Sequence, residues 1–262
     1  MIAKKSLGQH FLHDARVIHK IVASLDLDSK DRVLEIGCGT GALTAHLAER
    51  VGQFTGVELD GALFEALRST FRGPGVCFLN QDILTLDLEG LFPELAPKQR
   101  IKVVGNLPYY ISSPIVEWLG RHSNWFESVT IMLQAEVADR LLARPGSKEY
   151  GVLTVTSHYH FLSRRLFPVK PPAFRPIPKV DSAVVRLEPK AMKPLNLVEE
   201  RRFFDFVKHC FSFRRKTLRN CLKGSVDQQR LGLCLADLDK PSDVRAEALS
   251  LEDFLSLFSQ LR

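Results

Sequence analysis

Between residues 31 and about 134, short apolar runs alternate with amphipathic stretches. Residues 32–36, 54–58, 76–79, 101–104 and 129–133 are compact and almost continuously apolar, while 42–50 and 62–71 between them carry helical spacing. Strands that are apolar on both faces and alternate with helices predict a parallel sheet covered on both sides. Residues 151–161 admit two readings: their Thr and Val content suits a strand, their length and position a helix. Prolines 168, 171, 172, 176 and 178 predict a stiff connection, and residues 180–187 alternate polar and apolar like a final strand. Beyond Pro189 and Pro194 the pattern is helical to the end. The expected architecture is α/β and Rossmann-like, with a mostly parallel central sheet in residues 1–188 and a small all-helical C-terminal domain in residues 189–262.

Composition changes this picture little, but charge changes it more. The 262 residues are 45% hydrophobic and 25% charged, and no apolar run approaches the roughly eighteen residues of a membrane span. Lys4 and Lys5 are followed by no apolar segment, so a secretory signal is not expected. Five scattered cysteines without a CxxC pair argue against a disulfide framework or zinc site and fit a cytoplasmic protein. The histidines show no ligand spacing beyond the lone pair His158/His160, so no metal is expected. The net charge of +6 is uneven: +3 over residues 1–20, −5 over 21–162, +11 over 163–223 and −3 over 224–262. A +11 stretch interleaved with phenylalanines predicts a phosphate-binding surface.

The ends of four predicted strands carry candidate chemistry. Glu35-Ile36-Gly37-Cys38-Gly39-Thr40-Gly41 has GxGxG spacing, which lets the backbone turn sharply and approach a ligand but lacks the GxGxxG of a pyrophosphate site. Glu58 closes the second strand, where an acid accepts from ribose hydroxyls, and Asp82 follows the third, placed to accept from an adenine amino group. These acids in register describe a nucleoside site without phosphate cradles, which suits S-adenosylmethionine better than a nucleotide. Asn106-Leu107-Pro108-Tyr109 follows the fourth strand. The Asn106 side-chain oxygen and the Leu107 carbonyl can hold both hydrogens of an exocyclic adenine amine and aim its lone pair. Pro108 fixes that carbonyl, and Tyr109 offers a stacking surface.

On these residues the chain resembles the small-subunit (16S) ribosomal RNA adenine N6,N6-dimethyltransferases over essentially its whole length. The likeness begins at Gly8-Gln9-His10-Phe11-Leu12, similar to a segment that closes over the cofactor. It runs through the glycine loop, Glu58, Asp82, Asn106–Tyr109 and residues 172–182, and ends in the basic stretch 211–220. At His10 many members carry Asn; a histidine can still donate a side-chain hydrogen bond. The resemblance implies a class I methyltransferase using S-adenosylmethionine, with cofactor contacts from Gln9, His10, Leu12, Gly37, Gly39, Gly41, Glu58, Leu59, Asp82, Ile83 and Asn106. It implies catalysis by Asn106, Leu107, Pro108 and Tyr109, with Phe174 opposite Tyr109 to sandwich the base. The activity implied is dimethylation of two adjacent adenines near the 3′ end of small-subunit rRNA, by a monomer acting on a subunit particle.

Arg214, Arg215, Lys216, Arg219 and Lys223 are expected to bind RNA, with 215, 219 and 223 on one face of a helix. Three rival readings share some of these features. A macrolide-resistance type enzyme would modify a large-subunit rRNA adenine, but the Phe-Arg-Arg-Lys stretch and the Leu of Asn-Leu-Pro-Tyr favour the small subunit. A DNA adenine methyltransferase would need a separate target-recognition domain. A non-catalytic assembly factor would not need the acids and Asn106.

Overall fold

A computed structural model describes residues 9–93, 100–213 and 215–261; Gly8, the basic residues Lys4 and Lys5, and Arg214 lie outside them. The chain divides into two compact units, residues 1–138 with 161–189, and residues 139–160 with 190–262. The change near 188 is therefore one of two junctions. Residues 139–160, which the sequence pattern groups with the sheet, belong with the helical unit.

In the first unit the strand β1 (Phe11–Leu12) leads to helix α1 (Ala15–Ala23), whose start is capped by the Asp14 side chain accepting from Arg16 and Val17 N–H. Then follow β2 (Arg32–Ile36), α2 (Thr44–Leu47), β3 (Gln53–Val57), α3 (Gly61–Thr70), β4 (Val76–Leu79), α4 (Leu88–Leu91), β5 (Ile101–Asn106), α5 (Ser112–Arg121), β6 (Phe126–Gln134) and α6 (Ala135–Leu141). Helix α7 (Val152–His160) precedes β7 (Phe161–Val169), β8 (Phe174–Arg175) and β9 (Ser182–Pro189). The large sheet runs β4-β3-β2-β5-β6-β9-β7. The pairs from β4 to β6 are parallel, and β9 runs antiparallel to both neighbours. A separate two-stranded ribbon pairs Phe11 with Arg175 and Leu12 with Phe174.

The five predicted parallel strands are present within a few residues of their expected limits. Strand β7 covers residues 162–167, to which the sequence pattern assigns no element, and takes in Pro168 of the expected stiff connection, for a physical reason. It lies at the sheet's edge, with exposed Arg164 and Arg165, and its pairing shifts register between Arg165 and Phe167. Charges, a register irregularity and Pro168 are what an edge strand tolerates and a central strand does not. Residues 151–161 resolve as helix α7. Its residues Leu153 to Ser157, with Tyr159 and His160, are buried, so the β-branched content is core-facing and not strand-forming.

The second unit also holds α8 (Leu197–Cys210), α9 (Leu218–Cys221), α10 (Gln228–Asp237) and α11 (Leu251–Leu261). Tyr150, Tyr159, Phe203, Val207, Leu231, Leu235, Phe254 and Leu257 share its core. Asn196 and Glu199 cap α8 reciprocally. His158 and His160 lie on helix α7, not on a strand; burial lowers the pKa of both, that of His160 to about 3.

The expected basic helix through 215, 219 and 223 does not form. Thr217 caps α9, only four residues long, which contains Arg219 alone of the three. Arg215 precedes the helix and Lys223 follows it, and Gly224 at φ +83° turns the chain away. Arg219 donates to the Gln228 carbonyl at 3.2 Å, and the Lys216 ammonium lies 5.1 Å from the Phe213 ring centroid.

Candidate active site

Parallel sheets place ligands at the carboxyl ends of the strands, where the strand order reverses. Here that point lies between β2 and β5, and a pocket opens there, lined by all four predicted strand ends. Its walls include Gln9, His10 and Leu12, Gly37 and Gly39, Glu58 and Leu59, Asp82 and Ile83, and the run Asn106–Tyr109.

Gly37 and Gly39 take φ of +72° and +57°, a left-handed conformation that side chains disfavour. A Cβ on Gly39 would also lie 3.1 Å from the Phe11 ring. Gly41 has a different task. It does not line the pocket, and a Cβ there would meet the Phe71 ring at 2.6 Å, so its hydrogen lets α3's end close on the loop.

Glu58 is held by two backbone donors, Gly39 N–H to Oε2 at 2.8 Å and Asp60 N–H to Oε1 at 2.9 Å. A carboxylate has about four acceptor positions, so one on each oxygen remains for a ligand diol. Burial raises the Glu58 pKa, and these backbone donors work against that rise. Asp82 accepts from Leu84 N–H through Oδ1 at 3.0 Å, which steadies its carboxylate in the pocket wall. Gln9 donates to Asp60 Oδ2 at 3.3 Å.

Glu35 and Cys38 also line the pocket, beyond the residues expected there. The Glu35 carboxyl is wholly buried, accepts from the Thr44 hydroxyl at 2.7 Å, and burial pushes its pKa up to about 8. It therefore holds its proton near neutral pH. Burial raises the Cys38 thiol pKa well above normal, which removes the thiolate needed for nucleophilic chemistry. The signal for Glu35 is an acidic side chain between the apolar Leu34 and Ile36 of a strand.

Asn106 ends β5, and its Nδ2 donates to the His10 carbonyl at 2.9 Å. A carbonyl can only accept, so this bond fixes which amide atom is nitrogen. The Oδ1 is thereby free for an external donor. Leu107 N–H donates to the Met132 carbonyl at 3.1 Å, and the Leu107 side chain is buried. Pro108, at φ −58° and ψ 130°, turns the chain into the Tyr109–Ile111 helical turn.

The Tyr109 ring stacks on His10, with centroids 5.3 Å apart and planes 27° from parallel. Its hydroxyl pairs with Ser182 Oγ at 2.7 Å, and burial raises its pKa, so Tyr109 is no base at neutral pH. Ser182 is fully buried at the start of β9 and so acts as the ring's anchor. Tyr109→Phe and Ser182→Ala should each weaken capture of the target base by about 1 kcal/mol, leaving cofactor affinity unchanged. Because both variants remove the same bond, the double variant should be no weaker than either single one. Additive losses in a KM-based double-mutant cycle would refute the anchor.

Phe174 is placed differently from expectation. Its ring is completely buried, in the core that also holds Leu12, Ile18, Val104 and Val184. It does not line the pocket. The ribbon pairing of Leu12 with Phe174 turns both side chains inward, and the ring beside Tyr109 is that of His10. The basic residues Arg215, Lys216, Arg219 and Lys223 belong to the second unit. Among the described residues, no group of three or more His, Cys, Asp or Glu is placed to hold a metal, and no helix is long and apolar enough to cross a membrane.

Taking the large-sheet strands in chain order, the sheet runs 3-2-1-4-5-7-6 with its seventh strand reversed. Together with a pocket at the switch point edged by Glu58 and Asp82, this defines a Rossmann-like class I methyltransferase. Residues 2–262 match the family described as ribosomal RNA adenine dimethylase, and the chain belongs to that family. It is 44% identical over 261 residues to the ribosomal RNA small subunit methyltransferase A of Geobacter sulfurreducens, covering 97% of this chain and 94% of that protein. The protein of the same name from Chlorobium phaeobacteroides is 44% identical over 260 residues, covering 99% and 94%. Among solved structures, a dimethyladenosine transferase from Plasmodium falciparum aligns with TM-score 0.73 at 26% identity, over 95% of this chain and 96% of that one. The 23S rRNA methyltransferase ErmE aligns with TM-score 0.70 at 30% identity, over 96% and 99%.

Proposed function

We propose that this enzyme transfers methyl groups from S-adenosylmethionine to the N6 amines of two adjacent adenines near the 3′ end of small-subunit rRNA, giving N6,N6-dimethyladenosine. It acts in the cytoplasm as a monomer on a ribosomal subunit particle. The observation that carries the reading is the Asn106 amide, oriented by the His10 carbonyl beside a pocket edged by Glu58 and Asp82.

The pocket residues fit the proposed methyl donor. Glu58 keeps acceptor capacity for a ribose diol and Asp82 for an adenine amine, while Ile36, Leu59 and Ile83 offer apolar walls. When bound, the sulfonium supplies an electrophilic methyl group and leaves as a neutral thioether. The residues' own work lies on the other reactant. The adenine amine is a weak nucleophile because its lone pair is delocalised into the ring. Asn106 Oδ1 and the Leu107 carbonyl accept its hydrogens and draw the nitrogen towards a tetrahedral shape, with its lone pair towards the methyl group. Tyr109 holds the ring by stacking. The methylated nitrogen loses its proton to water, so no strong base is required.

Relatives at 44% identity carry the small-subunit name, whereas ErmE is 30% identical, which favours the small subunit. The test is methyl incorporation from labelled S-adenosylmethionine into purified small and large subunits lacking the modification, read by mass spectrometry of rRNA fragments. Two dimethyladenosines in the small subunit are expected, with Glu58→Ala and Asp82→Ala each lowering cofactor affinity about tenfold or more. Modification confined to the large subunit, or none in either, would overturn the proposal.

A further inference from the structure

The +11 stretch of sequence is divided by the fold. Residues 163–189 hold six Lys/Arg against two acids and lie in the first unit; residues 190–223 hold ten against three and lie in the second. The first unit as a whole is nearly neutral, with 19 Lys/Arg against 18 Asp/Glu. Positive charge there is nevertheless concentrated.

Two segments of that unit run alongside each other in opposite directions. The Lys20 ammonium sits 5.8 Å from the Phe167 ring centroid, and His13 N–H and Asp14 N–H both donate to the Ala173 carbonyl. Leu12 pairs with Phe174 and Phe11 with Arg175, and His10 Nδ1 meets the Pro176 carbonyl at 2.7 Å. Residues 10–20 and 166–180 thus form one continuous ribbon that ends at the His10–Tyr109 stack in the pocket wall. They carry five Lys/Arg against a single acid, Asp14, so the ribbon is +4 and the rest of the unit −3. Four extended residues and six helical ones give it a length of roughly 20 Å.

Its cations face outward. The Arg16 side chain is 90% exposed with Asp14 at 3.5 Å, and Lys20 and Arg175 are exposed. Lys170 is tied to Asp181 at 2.6 Å. Exposed Ile177, on the ribbon, and exposed Tyr110, in the pocket wall, add apolar surface near the pocket. Exposed cations interleaved with apolar side chains, next to the pocket, match what a single-stranded nucleic acid needs.

We propose that this ribbon is a phosphate track. Arg16, Lys20 and Arg175 hold the RNA backbone that flanks the target adenine, so the catalytic unit grips its substrate independently of the basic residues in the helical unit. The inference rests on the proposed RNA substrate. Neutralising a phosphate contributes ~0.7 to the slope of log affinity against log salt on a single strand, and ~0.9 on a duplex.

The experiment compares the wild type with R16Q/K20Q/R175Q across a salt series, using purified small-subunit particles and S-adenosylmethionine binding as the folding control. The expected result is a slope shallower by about two in the variant, with unchanged cofactor affinity and weaker methylation at low particle concentration. An unchanged slope with normal wild-type methylation would overturn the track alone, showing these cations to face solvent. A wild type that neither binds nor methylates RNA would remove the proposed function and the track together. Anionic phosphatidylserine vesicles form the last arm. Charge-dependent binding there with no slope change on RNA would assign the ribbon to a lipid surface and refute it as an RNA track.

Discussion

Phe174→Ala should destabilise the first unit by about 3–5 kcal/mol, the usual cost of emptying a buried phenylalanine site. The ring is fully buried and shares a core with residues of α1, β5, β6 and β9. That core also contains Leu12, one residue from the Phe11 ring that touches the glycine loop. Loss of the ring should therefore loosen the N-terminal segment as well as lower overall stability. Chemical denaturation of the variant should show an earlier midpoint with little change in slope. Phe174→Leu, which keeps most of the apolar volume, should recover much of the loss. The contrast is with Tyr109→Ala, where the loss falls on base capture, roughly 1–3 kcal/mol for a stacked base. Should Phe174→Ala keep the wild-type midpoint and lose only base capture, the ring leaves the core during binding and the original assignment to the base sandwich is correct.

The contrast between Phe174 and Asn106 shows what sequence could and could not convey. The parallel strands were legible because burial on both faces leaves unbroken apolar runs, and their ends located Glu58, Asp82 and Asn106. Local spacing suffices for such residues, since each sits at a strand terminus or within three residues of one. Phe174 depends instead on a two-stranded ribbon pairing residues 11–12 with 174–175, contacts more than 160 positions apart that leave no periodic trace. The His10 contacts to Tyr109, Asn106 and Pro176 were hidden for the same reason. In the second unit, i, i+4 spacing suggested a basic helix, but Thr217 and Gly224 limit the helix there to four residues. Charge spacing is a weak guide where capping residues sit inside the run. The place of residues 139–160 in the helical unit leaves no sequence trace either, because a segment can pack with distant chain without any change in its own composition.

Asn106→Ala should lower turnover by about a hundredfold while leaving cofactor affinity nearly intact. The magnitude follows from loss of a single oriented acceptor at developing positive charge, worth about 2.7 kcal/mol or more in comparable preorganised sites. Orientation is the central point, because Nδ2 is already committed to the His10 carbonyl. Only Oδ1 is left to meet the amine, and its direction is fixed before the base arrives. Asn106→Asp tests this directly. A carboxylate has no N–H for the His10 carbonyl, so two acceptors would face each other at 2.9 Å. The aspartate must then rotate or take up a proton, and it should rescue little activity despite keeping an acceptor oxygen. The effect should be greater on the first methylation than on the second. The unmodified amine presents two hydrogens to Asn106 Oδ1 and the Leu107 carbonyl, whereas the monomethylated amine has one to share between them. Single-turnover rates with saturating cofactor, measured separately on unmodified and monomethylated RNA, resolve the two steps. Near-normal rates for Asn106→Ala on unmodified RNA would mean that the Leu107 carbonyl and Tyr109 stacking orient the amine without it.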